Sequence, residues 1–208
     1  MGTKKGSIIK VEPIRDRKKI KDMEEYLRYR RERDYVLFVL GINTGLRISD
    51  LLKLKAEDVK DGSLLIREKK TGKIKECKLS DKVVKTLNQY IQDEIYSTKP
   101  HKRNRKKENV DSITESTYLF PSGKCPSKPV GKIQIWKIIK QAAEACGIDG
   151  NIGTHTLRKT FGYWAYKKGI DIYIIMNALN HSNPAVTKRY IGITQDGLNT
   201  VCYKRMNL

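Results

Sequence analysis

A mainly α-helical domain carrying one small antiparallel sheet is the fold class this sequence predicts. Three observations point to it. Apolar residues recur at helical spacing through most of the chain, a single stretch changes to strand-like alternation, and Gly, Asn-Pro and Ser-Asp pairs stand where helices should begin and end. The length, 208 residues, suits one domain or one and a half.

The elements follow in order. Residues 1–15 mix Gly, Lys and Pro without a sustained period and read as a basic arm that orders on a partner. The folded domain is expected over 16–208, with no separate N-terminal domain. Asp16 can cap a first helix bearing Ile20, Met23 and Leu27, and a second helix carries the run from Tyr35 to Ile42. Gly45 stands at a C-terminal cap, and Ile48, Leu51 and Leu52 mark a short helix starting near Ser49 and Asp50. Then the period changes. LLIREKKTGKIKECKLS places Leu64 with Ile66, and Cys77 with Leu79, on single faces around a Thr71-Gly72 turn, which predicts a β-hairpin. Ser80 and Asp81 open a helix striped by Val84, Leu87, Ile91 and Ile95. The basic stretch from Lys99 to Lys107 has no apolar anchor and reads as a solvated loop, compatible with contact to a polyanion. Helices are expected from Gly131 to Cys146, from a Thr154 cap to Gly169 with Leu157, Phe161, Trp164 and Ala165 inward, from Asp171 to Leu179, and from Asn183-Pro184 onward.

Charge narrows the function. Lys and Arg number 43 against 23 Asp and Glu, a net charge of +20. Such self-repulsion is rewarded only by a polyanion, through counterion release; nucleic acid leads and an anionic membrane surface trails. A hydrophobic content of 38% is too high for a disordered basic tail, and no apolar run is long enough to span a bilayer. A soluble, cytoplasmic, nucleoid-associated protein is expected. Cys77, Cys125, Cys146 and Cys202 lie far apart without a CxxC pair, so neither zinc nor a disulfide framework is predicted, and they read as reduced, buried small hydrophobes.

Several residues carry reactive groups, each with an ordinary alternative. His155 and Arg158 in HTLRKT stand three apart near a helix start; with Lys159 they offer charge and backbone N–H groups to one phosphate, or form a surface contact or cap. Arg47 follows Thr44-Gly45-Leu46 and is either an anion ligand or an ion-pair partner of Asp50 or Glu57. Lys70, beside Lys69 and Lys73, sits at the hairpin tip. His181 in LNHSN suits a helix cap, and Tyr190 in TKRY suits packing.

The ordered set of TGLRISDLLKL, EKKTGK, HTLRKT and LNHSNPAVTKRY resembles the boxes of the tyrosine recombinase (phage integrase) catalytic domain. Asn180 stands where that family has a glycine; asparagine also adopts left-handed backbone angles. The resemblance implies a DNA breaking-rejoining fold and a site-specific recombinase acting through a 3′-phosphotyrosine. It assigns Arg47, Lys70, His155, Arg158 and His181 to activation and Tyr190 to nucleophilic attack. Elementary chemistry agrees. Two guanidiniums suit the charge on two nonbridging oxygens, a phenol near pKa 10 needs cations or a base such as His155, and Lys70 suits protonation of the leaving 5′ oxygen. No cofactor or metal is expected. Lys69, Lys73, Lys102, Arg103, Arg105 and Lys159 are expected to contact DNA. The partners implied are duplex DNA at a specific site and further protomers, as a homotetramer on DNA, with an accessory DNA-bending protein as a candidate. The segment bearing Leu198, Val201, Cys202 and Met206 reads as an amphipathic helix that packs in cis or on a neighbouring protomer. The rival readings are a non-catalytic DNA-binding derivative, a type IB topoisomerase-like activity and, more distantly, a basic RNA-binding protein.

Overall fold

The computed structural model describes residues 11–67, 74–96 and 117–193. Its centre is a helix buried on nearly every side, for which a continuous apolar run is the requirement. That helix, α2 (Glu32–Thr44), has every residue from Tyr35 to Leu40 buried and is flanked by α1 (Arg17–Arg30), α4 (Asp81–Tyr90) and α6 (Thr154–Lys167). Asp16 caps α1 by accepting from the Lys18 N–H at 2.7 Å, and the extended Arg31 separates α1 from α2. The α2–α6 contact is close. A β-carbon on Gly41 would stand 2.7 Å from Leu157 Cδ1.

After α2 come α3 (Ile48–Leu51) and a 3₁₀ turn at Ala56–Asp58, leading into a three-stranded antiparallel sheet in the order β1 (Val59–Lys60), β2 (Ser63–Arg67), β3 (Ile74–Lys78). Strands β2 and β3 pair antiparallel, as expected, with Leu64 opposite Cys77 and Arg67 opposite Ile74, a register shifted by two residues from the one a two-residue Thr71-Gly72 turn would set; residues 68–73, where that turn was expected, lie outside the described residues. Strand β1 was not expected. It is joined to β2 by Asp61-Gly62, both at positive φ (47° and 74°), the mirror-image turn that matches strand twist.

Helix α4 continues into a π turn at Ile91–Ile95, and its buried stripe is Val83, Leu87, Tyr90, Ile91 and Ile95; Val84 is only half-buried. The 117–131 segment is tied to the core by Tyr90 Oη donating to the Leu119 carbonyl (2.8 Å) and by Arg33 Nη1 donating to the Pro121 carbonyl (2.9 Å). It leads to α5 (Lys132–Ala145). Helix α6 is preceded by Gly153 rather than capped by Thr154: the Gly153 N–H donates to Thr156 Oγ1 at 3.1 Å. On α6, Leu157 and Ala165 are buried, while Phe161 and Trp164 are half-buried.

A second, smaller core lies under α7 (Ile172–Ala178) and α8 (Pro184–Ile191), built from Ala165, Ile175, Leu179 and Ile191. Both helices begin as expected, with Asp171 accepting from Tyr173 N–H and Asn183 from Ala185 N–H. Helices α6 and α8 meet closely, since a β-carbon on Gly162 would stand 2.5 Å from Ile191 Cγ2.

Two expectations are corrected. The folded structure starts before Asp16: Ile14 is buried, its N–H donates to Thr160 Oγ1 (2.9 Å), and its carbonyl accepts from Trp164 Nε1 (3.0 Å). An apolar side chain beside Pro13 thus docks on α6, and the end of the expected arm, 11–15, packs on the helical body. Cys77, Cys125 and Cys146 are half-buried rather than buried, with no disulfide among the described residues, and Cys202 lies outside those residues.

Gly45, at φ 64°, closes α2 with its N–H donating to the Gly41 carbonyl, and a β-carbon there would collide with the Phe161 ring. Gly45→Ala is expected to lower stability by about 2 kcal/mol or more, from left-handed strain plus overpacking, as measured by denaturant unfolding.

Candidate active site

The site forms where three chain turns meet the first two turns of α6. Arg158 is its centre. The side chain is 5% exposed, with Nη1 donating to the Gly45 carbonyl at 2.5 Å and Nη2 donating to the Leu179 carbonyl. Gly45 closes α2 and Leu179 closes α7, so two helix C-termini, each the negative end of its dipole, receive the buried cation. Desolvation and the Arg47 charge hold its pKa below the ordinary value, while Tyr190 and Asp50 oppose the shift.

Arg47 lies two residues beyond Gly45, at the start of α3, and is exposed. Its alternative reading does not apply among the described residues. Glu57 pairs with Lys55 at 3.3 Å, and Asp50 accepts from Ser49 Oγ at 3.3 Å. Arg47 is instead close enough to His155, Arg158, His181 and Tyr190 to shift all four.

His155 stands in the first turn of α6, exposed at its surface. Burial of its ring, then Arg158, Lys159 and Arg47, push its pKa below 6.5. His181 follows α7 after Asn180, which adopts φ 46°, the left-handed conformation anticipated for it. Its Nδ1 is 3.1 Å from Thr187 Oγ1, and its ring meets that of Tyr190 edge-on with centroids 4.8 Å apart. Burial, Arg158 and Arg47 depress the His181 pKa as well.

Tyr190, in the last turn of α8, is half-buried. Burial raises the pKa of its phenol; the Arg158 charge, a hydrogen bond from Arg158, and Arg47 oppose that rise without cancelling it. The resting phenol is therefore neutral but faces the guanidinium that favours its anion.

Lys159 departs from expectation. It is 5% exposed, with Nζ 5.0 Å from the Tyr190 ring centroid, so it faces the site from within rather than offering an open DNA contact. The cause is its place on α6: it follows Arg158 on the side against which α8 packs. The structure thus brings together Arg47, His155, Arg158, His181 and Tyr190. Lys70, Lys69, Lys73, Lys102, Arg103 and Arg105 lie outside the described residues. Sequence reasoning missed Thr187, whose signal is its position one helical turn before Tyr190, and the inward Lys159. Among the described residues, no group of three or more His, Cys, Asp or Glu is arranged to hold a metal ion, and no helix is long and apolar enough to cross a membrane. Two guanidiniums and two imidazoles around a phenol suit a single bound anion of phosphate size.

Among solved structures, the fold matches XerA recombinase with a TM-score of 0.73 at 22% identity, covering 95% of this chain and 66% of that one. It also matches a lambda integrase tetramer bound to a Holliday junction, with a TM-score of 0.63 at 17% identity, covering 88% of this chain and 49% of that one. The fold is accordingly that of a tyrosine recombinase catalytic domain, mainly helical with a small antiparallel sheet. The family model "Phage integrase family" matches residues 16–196, and the chain belongs to the phage integrase family. It is 40% identical over 187 residues to "Probable integrase/recombinase YoeC" of Bacillus subtilis (strain 168), covering 89% of this chain and 92% of that protein. It is 28% identical over 192 residues to "Tyrosine recombinase XerA" of Pyrococcus furiosus, covering 91% of this chain but only 60% of that protein.

The depressed imidazoles have a consequence for stability. Below pH 6.5 the unfolded chain protonates His155 and His181 while the folded chain resists, so their contribution is complete above that value and falls as pH drops through the window beneath it. Thermal melting at pH 7.5 and 5.5 is expected to show this loss, and a double His155→Gln, His181→Gln variant to show a smaller one.

Proposed function

We propose that this chain is a site-specific DNA recombinase that cleaves and rejoins duplex DNA through Tyr190. The observation that carries the reading is the Tyr190 phenol set against the buried Arg158 guanidinium, within the field of Arg47. Among the described residues, Arg158 hydrogen-bonds to the phenol and to two neutral carbonyls rather than to a carboxylate, and Asp50 acts on it only through its charge. An incoming phosphodiester supplies the missing charge. Arg47 and Arg158 then hold its two nonbridging oxygens as negative charge grows in the pentacoordinate state. Tyr190 Oη attacks phosphorus, its proton passing to His155, while Lys70 protonates the departing 5′ oxygen. The product is a 3′-phosphotyrosine, which a 5′-hydroxyl from another strand reverses with exchange. The phosphodiester's energy is kept throughout.

The remaining positive charge, including Lys69, Lys73, Lys102, Arg103 and Arg105, holds the duplex. A homotetramer on DNA, helped by an accessory DNA-bending protein, is the assembly we propose; the tetramer reported for lambda integrase on a Holliday junction supports it. In a cell the protein would sit with the nucleoid in the cytoplasm. Residues 1–15 and 16–208, as arm and catalytic domain, remain our proposed division, shifted only in that 11–15 pack on α6.

A pool of nicked duplexes with a randomised core, incubated with protein in EDTA and partitioned for protein-linked DNA, supplies the test. Wild type is expected to retain a sequence-restricted subset covalently, and Tyr190→Phe none; retention by the variant would refute the nucleophile. Arg47→Ala, an exposed change, is expected to slow covalent capture about 10²- to 10³-fold while sparing most of the binding. Relaxation of supercoiled plasmid without strand exchange would point to topoisomerase chemistry instead.

A further inference from the structure

Thr187 belongs to none of the roles above, yet it is fully buried and touches the site. Its hydroxyl lies between two groups: it donates to the Asn183 carbonyl at 3.2 Å, and it stands 3.1 Å from His181 Nδ1. A hydroxyl has one proton and two lone pairs. A carbonyl can only accept, so the arrangement that makes both contacts hydrogen bonds has Oγ1 donating to the carbonyl one turn back and accepting from the imidazole, with hydrogen on Nδ1. Nε2 is then the nitrogen left to the rest of the site. The groups facing the ring there are Arg158 from α6, Arg47 from the start of α3 and the Tyr190 ring from α8, with Lys159 beneath that ring. A lone pair toward such cations is favoured over an N–H.

We infer that Thr187 is a positioning residue that fixes neutral His181 as its Nδ1–H tautomer, with Nε2 bare until a phosphate occupies the site. The inference rests on the reading of this site as a phosphodiester-cleaving one, and it refines the part His181 plays there. Neutral His181 has no Nε2 proton to give. Donation to a nonbridging oxygen therefore requires the imidazolium, formed by uptake of one proton from solvent when the phosphate's negative charge offsets the arginines. Thr187 serves both states, since its lone pair accepts from Nδ1–H whether or not Nε2 is protonated. The wrong tautomer would place hydrogen on Nε2 before the phosphate arrives and leave Nδ1 without a donor partner.

The test begins on the free protein. Long-range ¹H–¹⁵N spectra of the imidazoles at pH 7.5, with His181→Gln to assign the signal, are expected to show protonated Nδ1 and bare Nε2 in wild type. Thr187→Val, which keeps the buried shape but removes the hydroxyl, is expected to lose that tautomer, and Thr187→Ser to retain it. With a nicked duplex recovered from the covalent pool, Thr187→Val is expected to cleave about 10- to 100-fold more slowly at unchanged DNA affinity, with Thr187→Ser restoring most of the rate. An Nε2–H tautomer in wild type, or a wild-type tautomer and rate in Thr187→Val, overturns the inference. Should Thr187→Val fail to fold, the wild-type and Thr187→Ser spectra still decide it. Absence of cleavage by every protein, alongside the expected spectra, would strike the proposed function and leave the tautomer assignment standing.

Discussion

One buried guanidinium organises this molecule. Arg158 donates to the Gly45 carbonyl at the end of α2 and to the Leu179 carbonyl at the end of α7, binding two otherwise separate turns to α6. Those turns deliver the other groups: Arg47 stands two residues past Gly45, and His181 two past Leu179. The small core of Ala165, Ile175, Leu179 and Ile191 then sets α8, and with it Tyr190, against the same side of α6. Burying a cation is costly unless it is hydrogen-bonded, and here neutral carbonyls at helix C-termini satisfy it. Its charge therefore stays available, where a carboxylate partner would have cancelled it.

That choice of partners explains the electrostatics of the site. Burial, followed by the charges of Arg158 and Arg47, lowers both histidine pKa values, so the imidazoles rest neutral, and the same cations oppose the burial that keeps the Tyr190 phenol protonated. Two guanidiniums beside two neutral imidazoles thus suit one bound anion. The net charge of +20 points to a polyanion without saying where one would bind; the structure turns a few of those cations inward, among them Arg158 and Lys159.

Much of this was legible in the sequence because it rests on local rules. Asp16, Gly45, Asp171 and Asn183-Pro184 mark helix ends through their own side chains or backbone freedom, and each does so in the structure. The HTLRKT spacing put His155 and Arg158 one helical turn apart. What was not legible depends on packing between distant segments. Ile14 is short of any periodic pattern and finds its place only on α6. Lys159 looks like a surface cation until α8 covers it, and Thr187 gains a role only when His181 turns toward it. Strand β1 is an exception, since Asp61-Gly62 is itself a local hairpin signal.

Under the proposed function, Arg158 holds Tyr190, among the 11 tyrosines of the chain, as the one that attacks the scissile phosphorus. Mass spectrometry of the covalent protein–DNA adduct, after nuclease and protease digestion, locates the residue that carries the nucleotide remnant. The remnant is expected on Tyr190 as a 3′-phosphodiester; a remnant on any other residue, or a 5′ linkage, would rule out Tyr190 as the nucleophile in this role.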